Sequence, residues 1–515
     1  MEAYIAAKQV AEANGMPDNI RIDGLETRDG AFYLCPNDSA SVVNVEQAIE
    51  KIVTNAEKVE TGTAISVYHF VSTGSAVPHG TQQLSMYIVA KSKYDNPVVD
   101  RKEKDLPTIA NPNFFAWRKP DIIEQFREVM EDSTDRISPT FHVLPKSADG
   151  MDHVMFAYRR DTHHLPLDII SQILSANGLS LNRKVIEQFS NGVTVHSMYF
   201  DHTSEEHLNK ALNDLSLMFI VRRSKDILPM YLSGELTAKE YAYCSTASMF
   251  VYYYMFQDND DLRVLLESEA NNPAKVARLE NLRKLMKTEI VSLSRVGQTL
   301  NTYPELIRNI AQSFEAKFDV NYSGGDVMSS EELIAKISKM SENDQDREIL
   351  EQFVLFNDSV LKTNFFKIPK TAVSFRLNPS FLTRDPAYPD APYGVLMMIG
   401  NDFHGFHVRF NDVARGGIRL VISNDKAIFA RNMESAFFEN YNLAHTQNRK
   451  NKDIPEFGSK GVLLLRPRAL VNPLAREQCF RKYISSMLDM LIPTEQVRSG
   501  KISRTTFSTL FSSFS

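Results

Sequence analysis

The sequence predicts a multidomain protein with an α+β N-terminal region, a helical middle and an α/β C-terminal domain. Three observations carry this expectation. At 515 residues the chain exceeds one ordinary core, since domains run to roughly 150 residues. Short apolar runs alternate with amphipathic stretches toward both ends, the pattern of mixed strand and helix. Between them lies a stretch poor in Gly and Pro with apolar residues three and four apart, which reads as helix. The expected boundaries are residues 1–235, 236–368 and 369–493, followed by a low-complexity tail at 494–515.

In the first region, AISVYHFVST and QQLSMYIVAK read as strands and VVNVEQAIEKIVTN as a helix. Further on, VMFAYRR reads as a strand, LPLDIISQILSANG and RKVIEQFSNG as helix, and VTVHSMYF as a strand. This is the small α+β module of many ligand-sensing regulatory domains. The middle region contains the long helical run NPAKVARLENLRKLMKTEIVSL, and Ser329 with Glu332 forms a capping box ahead of LIAKISKM. YSGGDVMSS interrupts these helices as a loop or hinge. From Lys370 onward, TAVSFRLNP, YGVLMMIG, FHGFHVRFND and GGIRLVI are expected strands. They lead into the helix AIFARNMESAFFENYNLAHTQNR, with Ser423 or Asn424 as its cap. The strand GVLLLRP and the amphipathic helix LAREQCFRKYISSMLDMLI follow. The end, KISRTTFSTLFSSFS, has eight Ser or Thr, no acid and no period, and reads as a spurious or out-of-frame tail.

A net charge of -6 from 64 acidic and 58 basic residues leaves no long basic run. Nucleic acid and anionic membrane are therefore not expected partners, and small molecules or protein subunits are. Cys35, Cys244 and Cys479 lie far apart without a CxxC spacing, against both a disulfide framework and a zinc site, and fit a reducing compartment. The first residues mix acids with few bases, unlike a secretory or transit signal. The longest apolar run, MFVYYYMF, falls short of the roughly 20 residues that span a bilayer. A soluble protein of the cytoplasm or mitochondrial matrix is expected. His153, Asp161, His163 and His164 lack a ligand spacing on one element, so they read as surface histidines with no metal.

The chemistry concentrates in the last quarter. Arg415 and Arg419 bracket Gly416 and Gly417, a pair that lets backbone approach a bound carboxylate. Gln447 and Lys450 sit three apart at the end of the expected helix, so both side chains project from one face. Lys452 and Lys460 follow in an irregular stretch with Pro455, Gly458 and Gly461. Cations converging on a Gly-lined loop suit a substrate with two carboxylates. Their mutual repulsion also helps one lysine lose its proton and act as a general base. From the residues alone, a solvated lysine-rich loop is the alternative.

Taken together, HVRFNDVARGGIR and ENYNLAHTQNRKNKDIPEFGSKG resemble the large-subunit NAD-dependent glutamate dehydrogenases, and the likeness extends over most of residues 1–493. That resemblance implies oxidative deamination of L-glutamate to 2-oxoglutarate and ammonium, with NAD as cofactor, in a homo-oligomer. It identifies residues 369–493 as the substrate-binding catalytic domain and the N-terminal region as regulatory. Lys460 corresponds to the family's catalytic lysine, which assists attack of water or ammonia at the substrate α-carbon. Arg415 stands where small-subunit enzymes carry a lysine for the side-chain carboxylate. Gln447 and Lys450 keep the spacing that grips the α-carboxylate, with Lys452 a competing candidate. Phe457 stands where the family reads glycine. The family's GxGxxG dinucleotide unit and its aspartate in a PDEGT-like segment do not occur here. The expectation is therefore a C-terminally truncated member, its α/β domain incomplete and without cofactor-binding residues of its own. A catalytically silent regulatory or oligomerisation chain, binding an amino acid or full-length subunits, is the alternative.

Overall fold

The computed structural model describes residues 22–27, 30–59, 62–72, 83–116, 118–160, 165–255, 265, 268–269, 271–279, 292–367, 370–384, 387–450, 457–467 and 473–492. The chain divides into two compact units, Met1–Phe219 and Ile220–Ser515. The tail at 494–515, Asp161, His163, His164 and Lys452 lie outside the described residues.

The first unit is built on β1 (Ile22–Thr27), β2 (Gly30–Pro36), α1 (Ser39–Val59), β3 (Thr63–Val71) and β4 (Leu84–Lys93). It continues with α2 (Pro120–Ser133), β5 (Thr140–Leu144), β6 (Asp152–Arg159), α3 (Leu167–Ala176), β7 (Leu181–Gln188) and β8 (Val193–Phe200). Among the described residues these strands form one sheet in the order β1-β2-β4-β3-β7-β8-β6-β5, with every pair antiparallel. The order is one layout used twice: two strands, a helix and two strands, mirrored about the β3–β7 pair that runs from Ser66↔Glu187 to Phe70↔Arg183. The matching helices α1 and α3 meet across that seam, where Gln47 Nε2 donates to Asp168 Oδ2 at 3.0 Å. Beneath them the seam is polar and buried. Glu46 accepts from Lys184, from Tyr87 Oη at 3.1 Å and from Ser171 Oγ at 2.9 Å.

Two expectations are corrected here. RKVIEQFSNG is not helical, because β7 pairs with β3 on one side and β8 on the other. Its apolar residues mimic a helical spacing, but the turn through Asn191 and Gly192 closes a hairpin. Asn191 Oδ1 accepts from Val193 N at 3.0 Å, and Gly192 has φ +92°. His153 is not a surface residue either. It lies inward on β6, 2% exposed, with Nε2 2.8 Å from Ser197 Oγ and its ring 4.1 Å from Tyr199.

The second unit carries α4 (Ala238–Tyr254), α5 (Leu293–Thr302), α6 (Pro304–Phe318), α7 (Ser330–Met340) and α8 (Asp344–Ser359). The box at Ser329 and Glu332 caps α7, and Thr237 with Glu240 caps α4 in the same way. The stretch read as helical, residues 236–368, instead turns to strand at β9 (Val360–Thr363), which gains its partner from β10 (Val373–Leu377). Next come β11 (Gly394–Ile399), β12 (Phe403–Arg409), β13 (Ile418–Val421), α9 (Lys426–Asn448), β14 (Ser459–Leu465) and α10 (Pro473–Leu491). The strands form a sheet in the order β13-β14-β12-β11-β10-β9, with β13 and β14 parallel and the other pairs antiparallel.

Helix α9 covers one face of this sheet, where Phe437 meets Phe406 with centroids 5.4 Å apart. Its cap is Asp425, which accepts from Ile428 N at 2.8 Å, rather than Ser423 or Asn424. The Ser423 hydroxyl is instead taken by Asn432 Nδ2 at 3.0 Å. Helix α10 covers the opposite face. There Gly405 and Gly461 make room for Tyr483, which a Cβ at either would approach within 2.5 and 2.7 Å. All three cysteines are buried and unpaired. Among the described residues no helix is long and apolar enough to cross a membrane, and no group of three or more His, Cys, Asp or Glu is placed to hold a metal.

Candidate active site

Three segments meet at the N-terminal end of β14. The first is β14 itself, where Lys460 pairs with Val408 and Gly461 with His407 of β12. Alternation along the strand puts Lys460 and Val462 on the α9 face and Ser459 and Gly461 on the α10 face. The second segment is the loop into β13. A Cβ on Gly416 would stand 1.4 Å from Ser459 O and 3.0 Å from Gln447 Oε1, so only glycine fits. One residue on, Gly417 O accepts from Gly461 N at 3.2 Å. The Arg415–Gly417 loop is therefore fastened to the residues on both sides of Lys460. The third segment is the last turn of α9, where buried Gln447 donates from Nε2 to Arg415 O at 2.9 Å.

The return from α9 to β14 is equally tight. Gly458 has φ +46°, and a Cβ there would approach Ala444 O within 2.3 Å. Phe457, with φ +52° and 40% exposed, holds a left-handed backbone that glycine adopts more readily. Lys460 is half-buried, and no carboxylate pairs with it among the described residues. Arg415 and Lys450 are exposed. Helix α9 ends at Asn448, so Lys450 does not share a helix face with Gln447 as the spacing suggested; its N–H donates to Gln447 O at 3.2 Å in the turn beyond. Arg419 lies exposed on β13, 3.5 Å from Glu439.

Two neighbours were not foreseen from the sequence. Arg409 Nη2 donates to Asp412 O at 2.9 Å and Ala414 O at 3.1 Å, bracing the loop just before Arg415. His407 Nε2 lies 3.0 Å from Ser459 Oγ, next to Lys460. Burial, with Arg409 adding repulsion, pulls His407 down to about 3, so its imidazole is neutral. The available signal was the two-residue period of FHGFHVRF, which puts His407 and Arg409 on one strand face.

The arrangement can hold an acid against a lysine. A dinucleotide fits less well. Among the described residues the βαβ crossover β13–α9–β14 enters its helix through Ser423, Asn424 and Asp425, without a glycine. The Asp425 carboxylate occupies the helix N-terminus where a pyrophosphate would need free N–H groups.

A family model described as NAD-specific glutamate dehydrogenase, second domain, matches residues 24–231. Another, described as bacterial NAD-glutamate dehydrogenase, catalytic domain, matches residues 332–506. The chain is 33% identical to glutamate dehydrogenase 2 of Dictyostelium discoideum over 406 residues, covering 77% of this chain and 38% of the relative. It is 30% identical to the NAD-specific glutamate dehydrogenase of Neurospora crassa over 505 residues, covering 93% of this chain and 47% of that protein. The corresponding Saccharomyces cerevisiae enzyme is 30% identical over 381 residues, with coverage of 67% and 35%. The chain thus spans less than half the length of each of these relatives. With two family models in sequence order and relatives of one name across nearly its whole length, the chain belongs to the NAD-specific glutamate dehydrogenase family.

Proposed function

We propose that this chain supplies the substrate-binding part of an NAD-dependent glutamate dehydrogenase, which oxidatively deaminates L-glutamate to 2-oxoglutarate and ammonium. The observation that supports this most is the junction at Gly416, which ties Arg415 and Gln447 to the strand presenting Lys460. In this reading Arg415 pairs with the side-chain carboxylate through its forked donors. Gln447 and Lys450, with Lys452 nearby in sequence, hold the α-carboxylate, and Gly416 and Gly417 let the substrate approach the backbone. Lys460 is the base: its amine takes a proton from the water that attacks the α-carbon of the imino acid.

NAD is the hydride acceptor in this reading. We take 1–235 as regulatory, 236–368 as scaffold and 369–493 as the substrate domain. In this reading the enzyme works as a homo-oligomer in the cytoplasm or mitochondrial matrix.

Calorimetric titration of 2-oxoglutarate into the 515-residue chain tests the reading. Saturable binding that weakens at least ten-fold in Arg415→Ala and Lys450→Ala is expected. Absent binding, or binding unchanged in both variants, contradicts it.

A further inference from the structure

A second cation cluster lies at the other end of β14, six residues from Lys460 and so about 20 Å away along an extended strand. Arg466 follows the strand, its N–H donating to Asp402 O at 3.0 Å and its guanidinium 5.3 Å from the centre of the Phe429 ring. Arg466 Nη2 lies 3.4 Å from His404 Nε2, and His404 Nδ1 lies 2.9 Å from Tyr253 Oη. A guanidinium only donates, so Nε2 accepts and the neutral imidazole donates from Nδ1 to Tyr253. The Tyr253 hydroxyl keeps its own proton to give.

One turn back along α4, Arg222 Nη1 lies 4.0 Å from Met249 Sδ. The Arg222 carbonyl accepts from Ser245 Oγ at 2.7 Å and Tyr241 Oη at 3.3 Å. Arg222 is therefore fixed along the same helix that reaches Arg466 through Tyr253 and His404. Burial, and then repulsion from Arg222 with Arg223 adding to it, pulls Arg466 down to about 9.

Neither Arg222 nor Arg466 forms an ion pair with a carboxylate, and each has a buried Nε with no acceptor among the described residues. Two nearby acids attract the arginines without forming an ion pair with either. Asp402 Oδ2 lies 3.9 Å from Lys482 Nζ, and Asp226 Oδ1 accepts from Ser294 Oγ at 3.4 Å. Half-buried guanidiniums that no carboxylate contacts are costly, and Arg222, Arg466 and the Tyr253 hydroxyl are all hydrogen-bond donors.

We propose that Arg222, Arg466 and the Tyr253 hydroxyl form a binding site for a small dianion of phosphate or carboxylate chemistry, separate from the site at Lys460. Guanidiniums meet both oxyanions through the same two-donor fork. Occupancy would relieve the repulsion between the arginines and stabilise the second unit.

The test titrates inorganic phosphate and, separately, malonate into the full chain, at ionic strength matched with chloride, by calorimetry and by melting temperature. At least one of the two binds saturably and raises the melting temperature more than chloride does; which one does so identifies the chemistry. That binding weakens at least ten-fold in Arg466→Met and Arg222→Met and persists in Arg415→Met, which distinguishes it from substrate binding. Should a methionine variant fail to fold, Tyr253→Phe keeps the packing and removes one donor, and weaker binding is expected. The proposal is overturned if neither anion exceeds chloride, or if binding is unchanged in the variants that fold.

Discussion

Gly416 and Gly417 are neighbours with opposite demands. A Cβ at 416 would overlap Ser459 O at 1.4 Å, whereas at 417 it would meet nothing within 4 Å. Gly416→Ala is therefore expected to push the Arg415 loop off β14 and weaken 2-oxoglutarate binding at least ten-fold, while Gly417→Ala leaves binding within about two-fold. Parallel titrations of the two variants check this. A Gly-Gly pair between arginines signalled close backbone approach in the sequence. That the approach is to the residue before Lys460 was not legible, because it depends on β13 and β14 lying parallel across the length of α9. For the same reason Gln447 could be singled out from the sequence, but its partner, Arg415 O, could not. His407 and Arg409 carried only a strand period, which core and site residues share.

At the scale of elements, what is local in sequence was readable and what depends on a distant partner was not. The box at Ser329 and Glu332 is written within four residues, and Ser329 Oγ accepts from Glu332 N at 3.2 Å as expected. Ser329→Ala should cost about 1 kcal/mol, seen as a lower midpoint in denaturant at unchanged slope. By contrast β7 was read as helix and β9 as the end of one, since their partners β3, β8 and β10 lie far along the chain. The cap of α9 lay among three polar neighbours, and the choice fell to Asp425 because Asn432, about two turns inside the helix, takes Ser423.

Across the whole molecule, burial keeps several histidines neutral. His69, His196 and His404 are pulled well below the ordinary value of 6.5, and His153 to about 4. Each binds a proton more readily unfolded than folded, so the stability it lends is complete above about pH 6.5 and is lost as the pH falls below it. Each such group contributes up to about 1.4 kcal/mol per pH unit in that window. His196, stacked on Phe156 at 4.3 Å with both ring nitrogens unpartnered, isolates the effect. His196→Phe is expected to lose less melting temperature than the parent between pH 7.5 and pH 5, and equal losses would contradict this. The mirrored layout of the first sheet was not legible in the sequence, because it resides in strand order rather than in repeated residues.

The central claim is that Lys460 faces a bound dicarboxylate. Modification of the full chain with an amine-acylating reagent, followed by peptide mass spectrometry, tests it without altering any residue. Labelling of Lys460 that falls at least five-fold with saturating 2-oxoglutarate, while exposed Lys426 labels equally with and without it, is the predicted result. Equal labelling of Lys460 in the presence and absence of 2-oxoglutarate would contradict the account.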